Sequence, residues 1–159
     1  AFIQNLEQAV PLYDIGTIAL PDHVVHKTGP LDPEERIVMQ SHTTQGYELL
    51  QRVAESMGKP GEFLGMAMQL ARSHHEQFNG KGYPDRLLSD GIPLAARIMT
   101  VIDTYEALRA RRSYQPTLPH QTACEMILEA SPGKFDPRLL EALRRCADKF
   151  DATFRQVID

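Results

Sequence analysis

The sequence has no run of the roughly 18–20 apolar residues that a membrane-spanning helix requires, so we expect no direct insertion into a membrane. It has only two cysteines, Cys124 and Cys146, and no CxxC pair, which excludes a disulfide scaffold and favours a reducing compartment, the cytoplasm. It also lacks an excess of basic residues, since its formal net charge is −4. Without a global positive field, the protein is not expected to bind DNA or RNA.

Long stretches of period-two alternation are absent as well, so no segment demands a β-strand. What the sequence does contain is the profile of one globular domain, with 159 residues of which 42% are apolar and 24% are charged. The apolar residues recur with helical spacing along most of the chain. We therefore predict one all-α domain of about five to seven helices, with no internal linker.

The clearest helix start is Asp32, followed by Pro33 at the first helical position and by Glu35, the pattern of a capping box. Asp136-Pro137 opens the last helix in a similar way. A loop is expected between about residues 15 and 30. The predicted helices cover residues 2–12, 33–57, 63–75, 94–108, 120–130 and 137–149.

Residues of the types that bind metals are spread over these helices. His42 and the pair His74-His75 extend apolar faces, Asp103 adjoins another, and Asp14 lies upstream. Imidazole nitrogen with carboxylate oxygen suits iron, manganese, zinc or nickel. Adjacent histidines point roughly 100° apart on a helix, so the pair can reach one cluster only near a helix end or at its rim. A buried histidine can equally be a hydrogen-bonded core residue, and the sequence leaves both roles open.

Two further segments have alternative interpretations. The Gly82-Tyr83-Pro84 loop is either a turn whose tyrosine covers the core or a lid over the site. The cations of Arg109, Arg111 and Arg112 either hold a phosphate or form a solvated helix end. Tyr114 either stacks on a base or packs against its neighbours.

These residues resemble the HD-GYP family, a branch of the HD metal phosphohydrolases whose bacterial members hydrolyse the second messenger cyclic di-GMP. The resemblance runs from about Val10 to Leu143 and implies an HD-type helical domain with a GYP loop. Its most specific part is the histidine pair, the Gly-Tyr-Pro loop and the following Ile-Pro-Leu segment. The matching segments are Tyr13-Asp14-Ile15-Gly16, Thr28-Gly29-Pro30-Leu31, His74-His75-Glu76, Gly80-Lys81-Gly82-Tyr83-Pro84, Ile92-Pro93-Leu94-Ala95-Ala96-Arg97-Ile98, Val101-Ile102-Asp103 and Phe135-Asp136-Pro137.

The resemblance implies a role for each matching residue. The metal ligands of a centre with two or three iron or manganese ions would be Asp14, His42, His74, His75 and Asp103. Of these, Asp14 would bridge the ions and take part directly in catalysis. Contacts to the substrate, cyclic di-GMP, would come from Lys81, Tyr83, Arg112 and Tyr114.

The sequence departs from the family pattern at four positions. Tyr13 replaces the histidine of the His-Asp pair, and a phenol with an ordinary pKa near 10 is a poor metal ligand at neutral pH. Thr17 and Gln115 replace basic residues, and Asn79 replaces an aspartate. These changes weaken metal or phosphate binding, which is typical of a degenerate member.

Two functions follow as alternatives. The first is a weakly active or inactive module of cyclic di-GMP signalling that acts by binding the nucleotide or a partner signalling protein. The second is an active phosphodiesterase with a reduced metal centre, which opens cyclic di-GMP to the linear dinucleotide or GMP. A phosphohydrolase for another nucleotide would leave the GYP segment unexplained.

The resemblance also bears on domain organisation. Residues 1–159 are expected to form one HD-GYP-like domain, with further family ligands on helices that would precede it. Because family members are commonly outputs of two-component systems, an upstream receiver or sensor domain is expected too.

Overall fold

The computed structural model describes residues 1–58, 61–110, 117–129 and 132–158. Regular structure in these ranges is helical, apart from one isolated antiparallel bridge between Asn79 and Leu88. The all-α prediction is therefore confirmed. The α-helices are α1 (Phe2–Ala9), α2 (Asp22–Val25), α3 (Pro33–Gln40), α4 (His42–Met57), α5 (Glu62–Ser73), α6 (Leu94–Arg109), α7 (His120–Glu129) and α8 (Pro137–Ile158). Three 3-10 helices cover Val10–Leu12, Ile15–Ala19 and Ser89–Gly91.

Both predicted helix starts are confirmed. The Asp32 carboxylate accepts a hydrogen bond from the Glu35 backbone N–H, and the Glu35 carboxylate accepts one from the Asp32 N–H, each at 2.8 Å. This reciprocal capping box satisfies two backbone donors that the first turn of α3 leaves unpaired. At the start of α8, Asp136 accepts a hydrogen bond from the Arg138 N–H at 2.9 Å.

The prediction of one continuous helix over residues 33–57 is wrong, because the chain breaks at Ser41. The Ser41 N–H is shared between the carbonyls of Ile37 and Val38 at 3.2 and 3.1 Å, and its hydroxyl donates to Val38 O at 2.6 Å. These bonds tighten the last turn of α3 into a local stop. Consequently His42 begins α4 instead of lying in mid-helix.

The outer helices also differ from their predicted bounds. The first ends at Ala9 and continues as the 3-10 helix Val10–Leu12, because Pro11 has no N–H to donate. The predicted loop over residues 15–30 contains the 3-10 helix Ile15–Ala19 and the single turn α2. The last helix continues past residue 149, since Phe150 and Phe154 extend its apolar stripe and contact Tyr105 edge-on at 5.0 and 5.7 Å between ring centroids.

Helix α6 contributes to two apolar clusters. Ala95 and Met99 pack with residues of α1, α4 and α5, whereas Val101 and Tyr105 pack with α7 and α8. Complete burial of a side chain such as Leu70 in the first cluster contributes roughly 1.5–3 kcal/mol. Within the described ranges, every helix is too short or too polar to cross a membrane.

Candidate metal centre

Four side chains from distant parts of the chain converge on one point. Asp14, His42, His74 and His75 each place one potential ligand atom within 4.8 Å of the others. Asp14 Oδ1 lies 3.2 Å from His42 Nε2 and 3.3 Å from His74 Nε2, and the two Nε2 atoms are 3.3 Å apart. We call these four residues the His3Asp cluster. It contains four of the five side chains that the sequence suggested as metal ligands.

Close backbone packing places Asp14 next to His42. Asp14 precedes the 3-10 helix Ile15–Ala19, in which Gly16 is buried against α4. A Cβ atom on Gly16 would lie 1.9 Å from His42 O and 2.5 Å from Gly46 N, so only glycine permits this approach.

The histidine pair lies at the end of a helix, as its spacing required. Helix α5 ends at Ser73, and His74 is its C-terminal cap. The backbone turns away after this point, so the rings of His74 and His75 approach each other with centroids 4.1 Å apart. Both can therefore reach the same cluster.

Backbone hydrogen bonds fix the tautomers of two histidines. His42 Nδ1 lies 2.7 Å from Met39 O, and His74 Nδ1 lies 2.8 Å from Leu70 O. Because a carbonyl oxygen only accepts, both Nδ1 atoms carry the proton in these bonds. In the neutral rings, each Nε2 therefore directs a lone pair into the cluster.

This arrangement fits a divalent transition metal. Two imidazole lone pairs and a carboxylate oxygen face one another at 3.2–3.3 Å, which is unfavourable unless a proton or a cation lies among them. Ligand atoms that share one ion at about 2.1 Å lie roughly 3.0–3.4 Å apart. Mixed nitrogen and oxygen ligands are those of iron, manganese or zinc. The cluster thus has both the spacing and the chemistry of a metal site.

Burial and the neighbouring side chains shift the pKa values of the cluster residues. Burial acts to raise the pKa of Asp14, but its interactions with the His42 and His74 rings outweigh burial and hold that pKa well below its ordinary value. For His42, burial acts to lower the pKa, and the bonds to Asp14 and Met39 O outweigh it and raise it. Burial, with the neighbouring His74 and His42, lowers the pKa of His75 to about 3. The His75 ring is therefore neutral at pH 7 and available as a ligand.

The fifth candidate, Asp103, lies at the border of the cluster. Its Oδ1 accepts a hydrogen bond from the Tyr13 hydroxyl at 3.4 Å, and the Tyr13 ring contacts His74 edge-on with centroids 5.1 Å apart. Burial and the nearby charges of Asp14 and Asp103 raise the pKa of Tyr13. The phenol therefore stays protonated and acts as a neutral donor where an imidazole would offer a lone pair.

The GYP loop borders the same cluster. The Tyr83 ring stacks on His75 with a centroid distance of 4.8 Å and an interplanar angle of 25°, so Tyr83 lies against the site rather than over the hydrophobic core. Glu76, 1% exposed, shapes the loop by accepting hydrogen bonds from the backbone N–H groups of Asp85 and Leu87 at 2.7 and 3.0 Å. Glu76 directly follows the histidine pair, but nothing in the sequence pattern indicates this role.

Two cavities flank Tyr83. One has a volume of about 350 Å³ and is lined in part by His75, Tyr83, Asp103 and Lys134. The other, of about 590 Å³, is lined in part by Tyr83 and Lys81, together with Arg86. We call them the Lys134 cavity and the Lys81 cavity. Lys134 was missed by the sequence analysis, because it lies far along the chain from the other site residues.

The predicted substrate contacts have different outcomes. Tyr83 borders both cavities and the exposed Lys81 borders one. Arg112 and Tyr114 lie outside the described residues, as do Arg111 and Gln115.

Both interpretations of Arg109 are wrong. Its side chain is largely buried, forms a salt bridge with Asp151 at 2.9 Å, and lies over the Phe154 ring at 4.7 Å. It therefore joins α6 to α8, and it is neither a solvated helix end nor directed at a phosphate.

Two other residues that depart from the family pattern, Thr17 and Asn79, form hydrogen bonds with neighbours in the sequence. The Thr17 hydroxyl donates to Asp14 O at 2.9 Å, within its own turn. Asn79 Oδ1 accepts a hydrogen bond from the Lys81 N–H at 3.1 Å, inside the GYP loop.

Comparison with known proteins agrees with this geometry. A family profile described as an HD domain matches residues 2–139. A cyclic di-GMP phosphodiesterase of Vibrio cholerae is 39% identical over 152 residues, which are 96% of this chain and 31% of that protein. The cyclic di-GMP phosphodiesterase response regulator RpfG of Xanthomonas campestris pv. campestris is 38% identical over 90% of this chain and 36% of its own length.

A third relative has a different named substrate. The 3'3'-cGAMP-specific phosphodiesterase 2 of Vibrio cholerae is 36% identical over 92% of this chain and 27% of its own length. The chain thus spans about a third of the length of these curated relatives. Since the profile match covers most of the sequence, and relatives named as cyclic di-GMP phosphodiesterases are 38–39% identical over at least 90% of it, the chain belongs to the HD domain family as an HD-GYP domain.

Proposed function

We propose that this domain binds one divalent iron or manganese ion at the His3Asp cluster and a cyclic guanine dinucleotide beside it. In this proposal it is a degenerate module of bacterial cyclic di-GMP signalling, weakly active or inactive as a hydrolase, in the cytoplasm. The observation that carries the proposal is the hydrogen bond from Tyr13 to Asp103. In this bond, a neutral phenol is bound to an oxygen of Asp103, which is itself a candidate metal ligand.

The proposed ion would be held by Asp14, His42, His74 and His75. Two of these rings already present Nε2 lone pairs because their Nδ1–H groups are bonded to backbone carbonyls. When bound, such an ion would polarise a phosphodiester and stabilise negative charge on its oxygens. The backbone hydrogen bonds of the two Nδ1–H groups orient the rings of His42 and His74 toward such an ion.

The family resemblance explains why hydrolysis would suffer. A centre with two or three ions would use an imidazole at position 13 together with Asp103, whereas here Tyr13 donates a hydrogen bond to that carboxylate. Because burial keeps the phenol protonated, it cannot replace the imidazole as a ligand at neutral pH. The four residues of the His3Asp cluster are sufficient to hold a single ion.

The proposed ligand is cyclic di-GMP. Two of the three relatives described above are named for this nucleotide and one for 3'3'-cGAMP, so cyclic guanine dinucleotides are the class to test. The two cavities beside Tyr83 offer an aromatic face and, at Lys81, a cation for such a ligand. A bound nucleotide would then be reported to a partner signalling protein.

One observation favours the alternative of an active phosphodiesterase. The His3Asp cluster is complete, with every potential ligand atom within 4.8 Å of the others. Many hydrolytic enzymes carry out catalysis with a single metal ion in a site of this kind.

One experiment separates the two functions. Protein loaded with iron or manganese is incubated with cyclic di-GMP, and product release is compared with a chelator-treated sample and with the Tyr13→His, Thr17→Lys double variant. We expect the wild type to bind nucleotide with little or no turnover and the double variant to gain turnover. Robust wild-type hydrolysis would establish the alternative. A wild type that binds neither metal nor nucleotide would refute both.

A further inference from the structure

Lys134 is anchored between two segments that form the site. It lies in the connection between α7 and α8, and its carbonyl oxygen accepts a hydrogen bond from the Phe78 N–H at 2.9 Å. This bond ties the Lys134 backbone to the segment that follows the histidine pair. The Lys134 backbone is therefore held close to the segment that carries His75.

The side chain of Lys134 enters the Lys134 cavity. Its Nζ lies 3.5 Å from Thr104 Oγ1 and 4.9 Å from the centroid of the Phe135 ring. The other walls of this cavity include His75, Tyr83 and Asp103. The half-buried ammonium thus lies near the proposed metal ligands without being one of them.

The ammonium is incompletely paired for its degree of burial. Among the described residues, Lys134 forms no salt bridge, and its one hydrogen bond, to Thr104, is long. Burial lowers the pKa of Lys134, and the charge of Asp103 opposes this shift. A partly desolvated ammonium is best compensated by an anion at contact distance. The cavity of about 350 Å³ beside it has room for such an anion.

The cation that the family pattern supplies next to Asp14 is missing in this chain. Thr17 stands where the family pattern has lysine, and its hydroxyl is used within its own turn. A phosphate above the cluster would therefore meet no lysine from that segment. Lys134 offers a positive charge from a different part of the chain.

We propose that Lys134 binds a phosphate oxygen of the nucleotide in this cavity. The inference rests on the proposed function, because it assumes that a cyclic dinucleotide occupies the site. An ammonium recognises phosphate as a compact charge and does not read the base. Lys134 is therefore expected to contribute equally to the binding of cyclic di-GMP and 3'3'-cGAMP.

The test measures the affinity of both nucleotides for manganese-loaded protein and its Lys134→Gln, Lys134→Arg and Lys149→Gln variants. Lys149 is an exposed lysine of α8 and serves as the matched control. We expect Lys134→Gln to weaken the binding of both nucleotides by the same factor, roughly tenfold, and to reduce the salt dependence of binding. Lys134→Arg should retain most of the affinity, and Lys149→Gln all of it. Manganese content should be unchanged in every variant.

The outcomes separate this inference from the proposed function. If the wild type binds the nucleotides and Lys134→Gln binds them equally well, the inference is wrong and the proposed function stands. Weaker binding of only one of the two nucleotides would also overturn the inference, since that result indicates base recognition. If the wild type binds neither, both proposals fail. Should Lys134→Gln be poorly folded, Lys134→Met keeps an unbranched side chain of similar length without the charge and is judged by the same criteria.

Discussion

The hydroxyl of Tyr13 donates a hydrogen bond to Asp103 Oδ1 at 3.4 Å, between residues 90 positions apart in the sequence. The bond joins the turn that precedes Asp14 to helix α6. Burial raises the pKa of Tyr13, so the contact is that of a neutral donor with a carboxylate. Asp103 therefore faces a hydrogen-bond donor at position 13, where the family pattern has an imidazole that could share a metal ion with it.

Replacing Tyr13 should change the number of metal ions bound. We expect Tyr13→His to raise the metal content of protein purified under iron or manganese above that of the wild type, because it adds an imidazole beside Asp103. Tyr13→Phe is the matched control, since it removes the hydroxyl without adding a ligand. Elemental analysis per protein chain is the measurement. Equal metal content in Tyr13→His and Tyr13→Phe would contradict the assignment of position 13 to a metal site.

Loss of one histidine should abolish the stabilisation that metal provides. At a free metal concentration of about 100 times Kd, binding should raise the Tm of the wild type by roughly 5–10 °C. His74→Gln should weaken metal binding by more than the roughly 10–100-fold that loss of an outer partner costs, and should remove this shift. Thermal melts with metal and with chelator test this. His23, an exposed histidine of α2, gives the control variant His23→Gln, and an equal shift in both variants would exclude His74 as a ligand.

Gly16 should be intolerant of even a methyl group. A Cβ atom there would lie 1.9 Å from the carbonyl oxygen of His42, so Gly16→Ala must separate the 3-10 helix Ile15–Ala19 from α4. We expect a loss of about 3 kcal/mol in the free energy of unfolding, together with weaker metal binding. Denaturant titration measures the first. Gly29, with open space where its Cβ would lie, provides the control Gly29→Ala, and similar losses at both positions would refute the steric argument.

The stability contributed by Asp136 should depend on pH with a defined sign. This carboxylate, 2% exposed, pairs with Arg97 at 2.6 Å and with Arg138 at 2.8 Å, and the bond from Arg138 outweighs burial to lower the pKa of Asp136. A group whose folded pKa is depressed stabilises above its unfolded pKa, near 3.9 for Asp, and loses that contribution as the pH falls through its folded pKa. Asp136→Asn should therefore cost about 1–3 kcal/mol at pH 7 and less at pH 3.

The pH comparison uses Asp148, an exposed aspartate of α8, the helix that Asp136 precedes. Asp148→Asn should change the free energy of unfolding little at either pH. Urea titrations of the wild type and both variants at pH 7 and pH 3 make the comparison. A cost of Asp136→Asn that grows toward pH 3 would have the wrong sign and would exclude the ion-pair explanation.

Some features were predictable because their cause is local. The capping box at Asp32 and Glu35 depends on residues three positions apart, and the position of the histidine pair at a helix end follows from the glycines that come after it. The break at Ser41 was not predictable, since neither glycine nor proline marks it and it depends on how one N–H is shared.

Other features depend on distant parts of the chain. Nothing near Lys134 in the sequence indicates that its side chain enters a cavity with His75 and Asp103. Likewise, Tyr13 was recognisable as a missing imidazole only by family resemblance, and its contact with Asp103 required the folded structure. Arg109 was misinterpreted because its partner, Asp151, belongs to an extension of α8 that the sequence analysis did not predict.

Tyr83 separates two surfaces that differ in character. Asp103 and the half-buried Lys134 line the Lys134 cavity, whereas Lys81 and Arg86 line the Lys81 cavity. A cyclic dinucleotide with identical halves would lose its twofold symmetry on occupying both cavities. Its two guanines would then give separate NMR resonances in the complex, although they are equivalent in the free molecule. A mixed dinucleotide could bind in two orientations of unequal energy, so the domain would discriminate between the two nucleotide halves of its ligand.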